Sequence, residues 1–191
     1  YLNEHKDYVI VNIANEWLGT WGLGSTWTSA YQSAIQTMRN AGLENVIMID
    51  AAGYGQETSS LIDNCQSVLS ADSTGNTMFS IHMYSVVGKD SSTVKNAIDG
   101  MLSKGVSFCI GEFGHYQGGG EVDEATIMQY CTEKSIGYIA WSWKGNGGDD
   151  DVLEVSSTDI LNTTNEILNL DGTPVDRTQP GPTQFKIDIS N

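Results

Sequence analysis

The feature that most constrains the fold is a set of short apolar segments that recur at a spacing of roughly thirty residues. Each segment is rich in β-branched or aromatic residues and too short for a free-standing helix, which is typical of β-strands. Apolar side chains occupy both alternating positions, which predicts strands buried on both faces, as in a parallel sheet covered by helices. The segments are residues 8–14, 45–50, 78–84, 106–112 and 137–143.

Helical stretches with recognisable ends separate these strands. Residues 25–41 place apolar side chains at helical spacing, and Gly42 follows as a C-terminal stop. Asp90 has the position of an N-cap for another helix, which Gly105 ends. Further helices are predicted over residues 61–69, 122–134 and 160–168. Strands that alternate with helices predict an α/β protein with right-handed crossovers.

Two architectures fit this alternation: an open doubly wound sheet, or part of a (β/α)8 TIM barrel. A complete barrel takes about 250 residues, and three more units at the observed spacing would supply the difference from 191. The chain also begins with a helix-like remnant at residues 1–5, directly before the first strand. We therefore predict a (β/α)8 TIM barrel of which this chain holds about the last five β/α units.

The character of the sequence changes after residue 170. Residues 171–191 contain all three prolines of the chain and show no helical period. This composition predicts a linker or tail, and residues 185–189 alternate like a strand, either packed on the domain or opening a further module. We therefore assign residues 1–170 to the C-terminal portion of the barrel and residues 171–191 to the tail.

The charge balance excludes two classes of partner. Asp and Glu number 24 against 9 Lys and Arg, a formal net charge of −15. Polyanions such as nucleic acid and anionic membranes are repelled by such a surface. The longest apolar runs are far shorter than the roughly 20 residues that span a bilayer. The cysteines, Cys65, Cys109 and Cys131, lack metal-ligand spacing and are predicted to be small buried apolar residues.

Chemically useful side chains gather where the predicted strands end. In β/α folds the catalytic groups lie at the C-terminal ends of strands. A single Glu, His, Tyr or Trp there is usually a solvated or packed residue, but here four of the five strands end in such groups. They are Asn15, Glu16 and Trp17 after the first strand, His82 and Tyr84 on the third, Glu112 on the fourth, and Trp141 and Trp143 on the fifth.

Two carboxyl groups at one rim indicate glycoside hydrolysis. Cleavage of an acetal needs one carboxylic acid to protonate the leaving oxygen and one carboxylate to attack the anomeric carbon or direct water at it. Glu16 and Glu112 end the first and fourth strands, so they can face each other across a barrel mouth. Aromatic rings suit the apolar face of a sugar, and Asn, His and Tyr can hold hydroxyl groups.

Five sequence blocks resemble bacterial β-mannanases of glycoside hydrolase family five. They are VNIANEW (residues 11–17), DAAGYGQ (50–56), FSIHMY (79–84), IGEFG (110–114) and AWSWKGN (140–146). The resemblance runs from about residue 8 to about residue 169 with the blocks in order. It implies a (β/α)8 barrel, hydrolysis with retention by double displacement, secretion and no required cofactor.

The resemblance also implies a role for each matching residue. Glu16 corresponds to the general acid/base and Glu112 to the nucleophile, so the two carboxyl groups should lie about 5–5.5 Å apart, against about 6.5–9.5 Å in inverting enzymes. Tyr84 corresponds to the phenol that hydrogen-bonds the nucleophile, and His82 lines the same subsite. Substrate contacts are implied for Asn15, which binds the hydroxyl beside the anomeric carbon, for Trp141 as an aromatic platform, and for Trp17, Trp143 and Asn146 as neighbours.

The sequence therefore predicts a secreted, monomeric endo-β-1,4-mannanase that acts on mannan, glucomannan or galactomannan without a metal or cofactor. A related β-1,4-glucanase is one alternative. A non-catalytic sugar-binding barrel is a second, although a lectin has no need of both Glu16 and Glu112. An open-sheet protein that binds a nucleotide or flavin is a third, but it would need a Gly-rich or hydroxyl-rich loop after the first strand, and residues 15–19, NEWLG, are neither.

Overall fold

The computed structural model describes residues 1–117 and 120–141, and the backbone of two short strands further along. In these described ranges, four helices follow a short 3₁₀ helix at Leu2–His5. They are α1 (Gly24–Asn40), α2 (Thr58–Leu69), α3 (Ser91–Leu102) and α4 (Glu124–Lys134). The strands are β1 (Ile10–Asn12), β2 (Val46–Asp50), β3 (Thr77–Met83), β4 (Phe108–Phe113), β5 (Tyr116–Gln117), β6 (Gly120–Glu121), β7 (Gly137–Ala140), β8 (Ile167–Leu168) and β9 (Lys186–Ile187).

Five strands form one parallel sheet in the order β1-β2-β3-β4-β7. This order is the order of the chain, apart from the antiparallel hairpin β5–β6 between β4 and α4. Right-handed crossovers between strands in unbroken sequential order place all the helices on one face. An open doubly wound sheet needs a reversal of strand order, so the described sheet has the topology of a barrel wall.

The core lies between this sheet and its helices. Alternation along β3 turns Phe79, Ile81 and Met83 toward the helices, and these side chains are buried. Side chains from the other elements complete this core, among them Ile47, Ile49, Ile110, Trp27, Ile35, Leu61, Ile98 and Ile127. The same alternation sends Asp50, Ser80 and His82 to the opposite face, which becomes the inner face of the wall.

Two of the predicted helix ends, the stop at Gly42 and the N-cap at Asp90, are confirmed. Gly42 follows α1 with φ 85°, a left-handed conformation that favours glycine, and Leu43 N–H donates to the Met38 carbonyl at 3.0 Å. Asp90 caps α3 by accepting from the Thr93 N–H at 2.8 Å. The three cysteines are free and buried, as predicted from their sequence context.

The outer strands are shorter and more exposed than the inner ones. Within the described residues, β1 pairs only with β2, and β7 pairs only with β4. Ile10 and Ile139 on these strands are 53% and 54% exposed, whereas β3 is buried along nearly its whole length. The first strand was predicted over residues 8–14, and with pairing on one side only it narrows to Ile10–Asn12.

A buried ion pair joins the amino ends of β2 and β3. Arg39 Nε and Nη2 donate to the two oxygens of Asp72 at 2.8 and 3.0 Å. The remaining guanidinium N–H groups donate to the carbonyls of Leu43, Asn45 and Asn76 at 2.8 to 3.0 Å. Asp72 accepts further hydrogen bonds from Thr74 and Thr77. We call these four charged and hydroxyl residues, Arg39, Asp72, Thr74 and Thr77, the amino-edge cluster.

Beyond residue 141 the description is limited to β8 and β9, which pair antiparallel. Because Ile167–Leu168 is a strand, the helix predicted over residues 160–168 is wrong at its end. Trp143, Asn146, the boundary at residue 170 and most of the tail 171–191 lie outside the described residues. None of the helices in the described ranges has the length and apolarity required to cross a bilayer.

Candidate active site

The two carboxyl groups singled out by the sequence meet around one histidine. His82 Nδ1 lies 2.6 Å from Glu16 Oε1 and 3.5 Å from Glu112 Oε2. One oxygen of each glutamate and one ring nitrogen of His82 all lie within 4.8 Å of one another. The two carboxyl groups thus approach each other closely beside one imidazole ring.

Tyr84 contacts Glu112, the second glutamate of this pair. Its hydroxyl donates to Glu112 Oε2 at 2.8 Å, which is the contact expected of these two residues. His82 lies on β3 and Tyr84 directly follows this strand, and both side chains reach Glu112 on the neighbouring strand. Glu112 thus receives one neutral donor from Tyr84 and lies beside the ring of His82.

Asp50 completes the cluster, and the sequence reasoning assigned it no role. It ends β2, is fully buried, and lies 3.5 Å from His82 Nε2 through Oδ1. Asn12 Nδ2 donates to both of its oxygens at 3.1 Å, and the Glu16 backbone N–H donates to Oδ2 at 3.0 Å. Its position at a strand end was the available signal, because β2 was the one strand to which no functional group had been assigned.

We call Asp50, His82, Glu16 and Glu112 the carboxyl-edge cluster, and its charges shape the acidity of each member. Burial opposes the charged form of His82, but Asp50 and Glu16, with Glu112 nearby, raise its pKa to about 9. Burial also opposes ionisation of Asp50, yet His82, the Glu16 N–H and Asn12 together lower its pKa. The ion pair of His82 with Asp50 is therefore charged at neutral pH.

Glu112 has the opposite shift. Burial raises its pKa above the ordinary value, and the negative charges of Glu16 and Asp50 act in the same direction. His82 and the Tyr84 hydroxyl oppose that rise without cancelling it. A half-buried, weakly solvated carboxylate of this kind is a stronger base and nucleophile than an exposed one.

The backbone is adapted to this cluster by one irregularity in β4. Between Ile110 and Phe113 this strand has one residue more than each of its neighbours, so the pairing register shifts against both β3 and β7. A bulge near an active site re-aims side chains, and here it brings Glu112 opposite His82. Gly111 lies in the shifted segment, where a Cβ atom would stand 2.1 Å from Ser80 Oγ.

The loop after β2 is also fitted to His82. Gly53, Tyr54 and Gly55 have φ values of 60°, 55° and 73°, three consecutive left-handed residues. The Gly55 carbonyl accepts from the His82 N–H at 2.8 Å, and a Cβ at Gly55 would lie 2.4 Å from His82 Cγ. Glu16 likewise has φ 49°, so strained backbone gathers beside the cluster, as it does at functional sites.

Aromatic side chains stand exposed on the neighbouring loops. Trp17 is 47% exposed and meets Tyr31 edge to face, and Trp141 follows β7 with 39% exposure. Asn15 is exposed beside Glu16. Trp21 and Tyr54 were not predicted as site residues, yet both are exposed and pack against loop glycines, Gly53 and Gly19 respectively. No periodicity could have identified them, because both lie in loops.

The three groups that meet within 4.8 Å also satisfy the distance test for a metal site. A metal ligand must be deprotonated, whereas the pKa of His82, raised to about 9, keeps its ring protonated at neutral pH. In the described structure this ring contacts Glu16 Oε1 through Nδ1 at 2.6 Å, so the three groups form a proton-sharing cluster.

Known proteins are similar to this chain in sequence. A mannan endo-1,4-β-mannosidase of Salipaludibacillus agaradhaerens is 48% identical over 151 residues, which cover 79% of this chain and 49% of that protein. A β-mannanase/endoglucanase A of Caldicellulosiruptor saccharolyticus is 40% identical over 146 residues, 76% of this chain and 11% of that protein. The chain thus spans about half the length, or less, of these relatives.

The fold has solved counterparts. The β-mannanase of Thermomonospora fusca, solved in complex with mannohexaose, matches with a TM-score of 0.70 at 39% identity, over 78% of this chain and 48% of that one. The described sheet is therefore part of a TIM barrel, as predicted. Residues 1–147 match the family model for cellulase, glycosyl hydrolase family 5. The chain belongs to this family, the cellulases of glycosyl hydrolase family 5.

Proposed function

We propose that the complete polypeptide containing residues 1–191 is an endo-acting glycoside hydrolase that cleaves β-1,4-mannosidic bonds with retention of configuration. The observation that carries this proposal is the approach of Glu16 and Glu112 oxygens within 4.8 Å around His82. Such a close approach supports direct attack on a sugar carbon by one carboxylate, as in retaining enzymes, whose carboxyl groups lie about 5–5.5 Å apart.

In the first step, a Glu112 oxygen attacks the anomeric carbon while Glu16 donates its proton to the glycosidic oxygen. The bond from the carbon to that oxygen breaks, and the leaving chain departs with a new hydroxyl group. Burial keeps the Glu112 carboxylate poorly solvated, and the Tyr84 hydroxyl donates to Oε2, which leaves Oε1 to form the new bond. The product is a covalent glycosyl ester on Glu112.

In the second step, Glu16 acts as a base and takes a proton from water. The water oxygen attacks the same carbon from the face that the leaving chain vacated, and the ester bond to Glu112 breaks. Two displacements restore the original configuration. His82 holds Glu16 Oε1 at 2.6 Å through both steps, so the proton is exchanged at Oε2.

Substrate binding is proposed for the residues around this pair. Asn15, exposed beside Glu16, is assigned to the hydroxyl next to the anomeric carbon. The exposed rings of Trp17 and Trp141 offer platforms for the apolar faces of sugars, and Trp21 and Tyr54 extend this surface. Trp143 and Asn146 are proposed as neighbouring contacts from the sequence alone.

Mannan is favoured as the substrate because the relatives include a mannan endo-1,4-β-mannosidase and a β-mannanase solved with mannohexaose. A second candidate is a β-1,4-glucanase. It is supported by the family description and by the Caldicellulosiruptor relative, which carries both activities in its name. The two substrates differ at the C2 hydroxyl, so the contacts around Asn15 are where selectivity would arise.

Three further expectations accompany this function. A polymer such as mannan is too large to enter a cell, so we propose that the enzyme is secreted. It is proposed to act as a monomer, since one chain supplies both carboxyl groups. Residues 1–170 are proposed as the barrel portion, and residues 171–191 as a linker or tail.

The test is hydrolysis by the complete polypeptide, with Glu112→Ala as the inactive control. Reducing ends should appear on galactomannan and glucomannan faster than on carboxymethyl cellulose, and the first product seen by NMR should have the β configuration. A faster reaction on cellulose would favour the glucanase, and an α product would overturn the retaining mechanism. No activity on either polymer, from a folded protein, would leave only a sugar-binding role.

A further inference from the structure

Asp50 is surrounded by hydrogen-bond donors on every side that the structure describes. Asn12 Nδ2 faces both carboxylate oxygens at 3.1 Å, the Glu16 N–H faces Oδ2 at 3.0 Å, and His82 Nε2 lies 3.5 Å from Oδ1. The side chain is fully buried at the end of β2. Only an ionised carboxylate satisfies this arrangement, because an amide would turn its own NH₂ group toward one of these donors.

Two of those donors belong to the proposed acid/base apparatus. Glu16 adopts a left-handed backbone conformation, φ 49°, which non-glycine residues rarely adopt. Its N–H is anchored by Asp50 Oδ2 in that conformation. The His82 ring then links Asp50 to the Glu16 side chain, with Nε2 facing Asp50 and Nδ1 facing Glu16 Oε1. Asp50 is thus linked to Glu16 by two routes. It accepts a hydrogen bond from the Glu16 backbone N–H, and it contacts the His82 ring, which in turn contacts the Glu16 side chain.

We propose that Asp50 is a positioning residue that locks the backbone of Glu16 and the ring of His82 into one unit, and so directs the acid/base carboxyl toward the bond being cleaved. This inference rests on the proposed function. Asp50 contacts neither the substrate nor the reacting atoms in this scheme, and it acts through Glu16 and His82.

The charges around His82 support the same assignment. The ionisable groups that face the ring are Asp50, Glu16 and Glu112. With Asp50 ionised, His82 remains a cation and both ring nitrogens carry a proton, so the Nδ1–H donates to Glu16 Oε1. The proton that Glu16 transfers is then confined to Oε2. Without the charge of Asp50, the pKa of His82 would fall, and the ring could lose its proton during catalysis.

The experiment compares Asp50→Asn with Asp72→Asn in the complete polypeptide. Both changes convert a buried, ion-paired carboxylate into an amide, but Asp72 belongs to the amino-edge cluster. The first readout is the leaving-group dependence of kcat/KM, measured with a manno-oligosaccharide and with a dinitrophenyl mannoside whose departure needs no protonation. The second is the titration of His82, followed by the NMR signal of its imidazole ring.

Asp50→Asn should lower kcat/KM on the oligosaccharide by about 10²-fold, the cost of a misplaced catalytic group. The loss on the dinitrophenyl substrate should be less than about a tenth of that. The His82 titration should fall from about 9 toward its ordinary value of 6.5. Asp72→Asn should lower stability and leave both readouts as in the unaltered protein.

Equal losses on the two substrates, or an unchanged His82 titration, would overturn the inference. If Asp50→Asn does not fold, Asn12→Ala provides the second test, since it removes a donor to both Asp50 oxygens. It should move both readouts in the same direction by a smaller amount, and unchanged readouts would again overturn the inference. If the unaltered protein cleaves no mannan, the proposed function fails, but the His82 titration still decides whether Asp50 holds the ring.

Discussion

Two buried ionic clusters lie at opposite edges of the same sheet, and they differ in how completely their charges are matched. In the amino-edge cluster, Arg39 donates through both sides of its guanidinium to one carboxylate and three carbonyls. In the carboxyl-edge cluster, three carboxyl groups surround one imidazole ring. The first arrangement balances its charges, whereas the second has an excess of negative charge.

The acidities follow this difference. The pKa of Asp72 is held far below its usual range, because Arg39 and the two threonines outweigh the effect of burial. The pKa of Glu112 is raised, because burial and its acidic neighbours outweigh His82 and Tyr84. A matched cluster stabilises the fold, and an unmatched one contains a group ready to react. This division agrees with the general placement of active sites at the C-terminal face of barrels.

Substitution of the proposed nucleophile should have the largest effect, and this effect should be confined to the carboxyl-edge cluster. Glu112→Ala should lower kcat on mannan by about 10⁴-fold or more, as loss of a covalent nucleophile does in other enzymes. The free energy of unfolding should not fall, because a carboxylate with a raised pKa is itself unfavourable in the native state at neutral pH. Steady-state kinetics and urea denaturation of the same samples would measure both.

Glu16→Ala provides the matched control for that prediction. It should abolish mannan cleavage but retain the first step on a dinitrophenyl mannoside, where azide can intercept the covalent intermediate. Glu112→Ala should not be rescued on either substrate. If azide restored turnover to Glu112→Ala and left Glu16→Ala unchanged, the two roles would have to be exchanged.

Much of this comparison could be predicted from the sequence, for identifiable reasons. Strand rhythm and strand-end position place Glu16, His82, Tyr84 and Glu112 on one edge, because parallel strands bring their carboxyl ends together. The Tyr84–Glu112 contact followed from the family resemblance and is present at 2.8 Å. The family and the partial barrel were also predicted correctly.

The remaining features depend on tertiary contacts that have no local signature. In the sequence, Asp50 is an ordinary polar residue at the end of a buried strand. Only the folded structure shows its contacts with His82 and Asn12. The bulge at Gly111 requires knowledge of Ser80 on the neighbouring strand. The amino-edge cluster joins Arg39 to Asp72. A strand and a helix separate these residues in the chain, and no local sequence motif predicts their pairing.

Removal of Arg39 should have the next largest effect and should be confined to the amino edge. Arg39→Met leaves the buried Asp72 carboxylate without its cation, and breaking a buried ion pair in this way costs about 3–5 kcal/mol. The folded fraction should retain its kcat, since no residue of this cluster belongs to the proposed catalytic machinery. Urea denaturation would measure the loss, and a fall in kcat of the folded enzyme would show that the two edges are coupled.

Two glycines sharpen the comparison further, because they share a backbone conformation but not their surroundings. Gly55 has φ 73° with the His82 ring against it, whereas Gly75 has φ 66° near the amino end of β3, where an added Cβ atom would meet nothing within 4 Å. Alanine at either position costs roughly 1–2 kcal/mol of stability, because a left-handed conformation is unfavourable for a residue with a Cβ atom. Only Gly55→Ala should also displace His82, with a loss of about 10²-fold in kcat.

Activity assays at matched folded fractions would separate these contributions. If Gly75→Ala lost as much activity as Gly55→Ala, the effect would have to come from stability and not from contact with His82. If Gly55→Ala kept its activity, the loop of residues 53–55 would not be a support for the ring.

The smallest expected effect is a difference in the pH dependence of stability. The pKa of His82 is raised from 6.5 to about 9, so the native protein binds this proton more tightly than the unfolded chain does. The resulting stabilisation is complete below pH 6.5 and is lost as the pH rises through about 9.

The pKa values of Asp50 and Asp72 are lowered, so their stabilisation is present above their ordinary value of 3.8 and is lost as the pH falls. Both edges therefore contribute to unfolding in acid, whereas the decline between pH 6.5 and about 9 belongs to the carboxyl edge. The buried thiols of Cys109 and Cys131, whose pKa values are raised from 9.0 to about 12, add to the decline only above pH 9. Since one pKa unit corresponds to about 1.4 kcal/mol, the alkaline decline should amount to the order of 1–3 kcal/mol.

Urea denaturation across this pH range would measure the free energy of unfolding of both variants. His82→Gln should remove most of the alkaline decline in stability, while Arg39→Met should reduce the acid decline and preserve the alkaline one. An alkaline decline that persists in His82→Gln would assign it to another group and remove this distinction between the two edges.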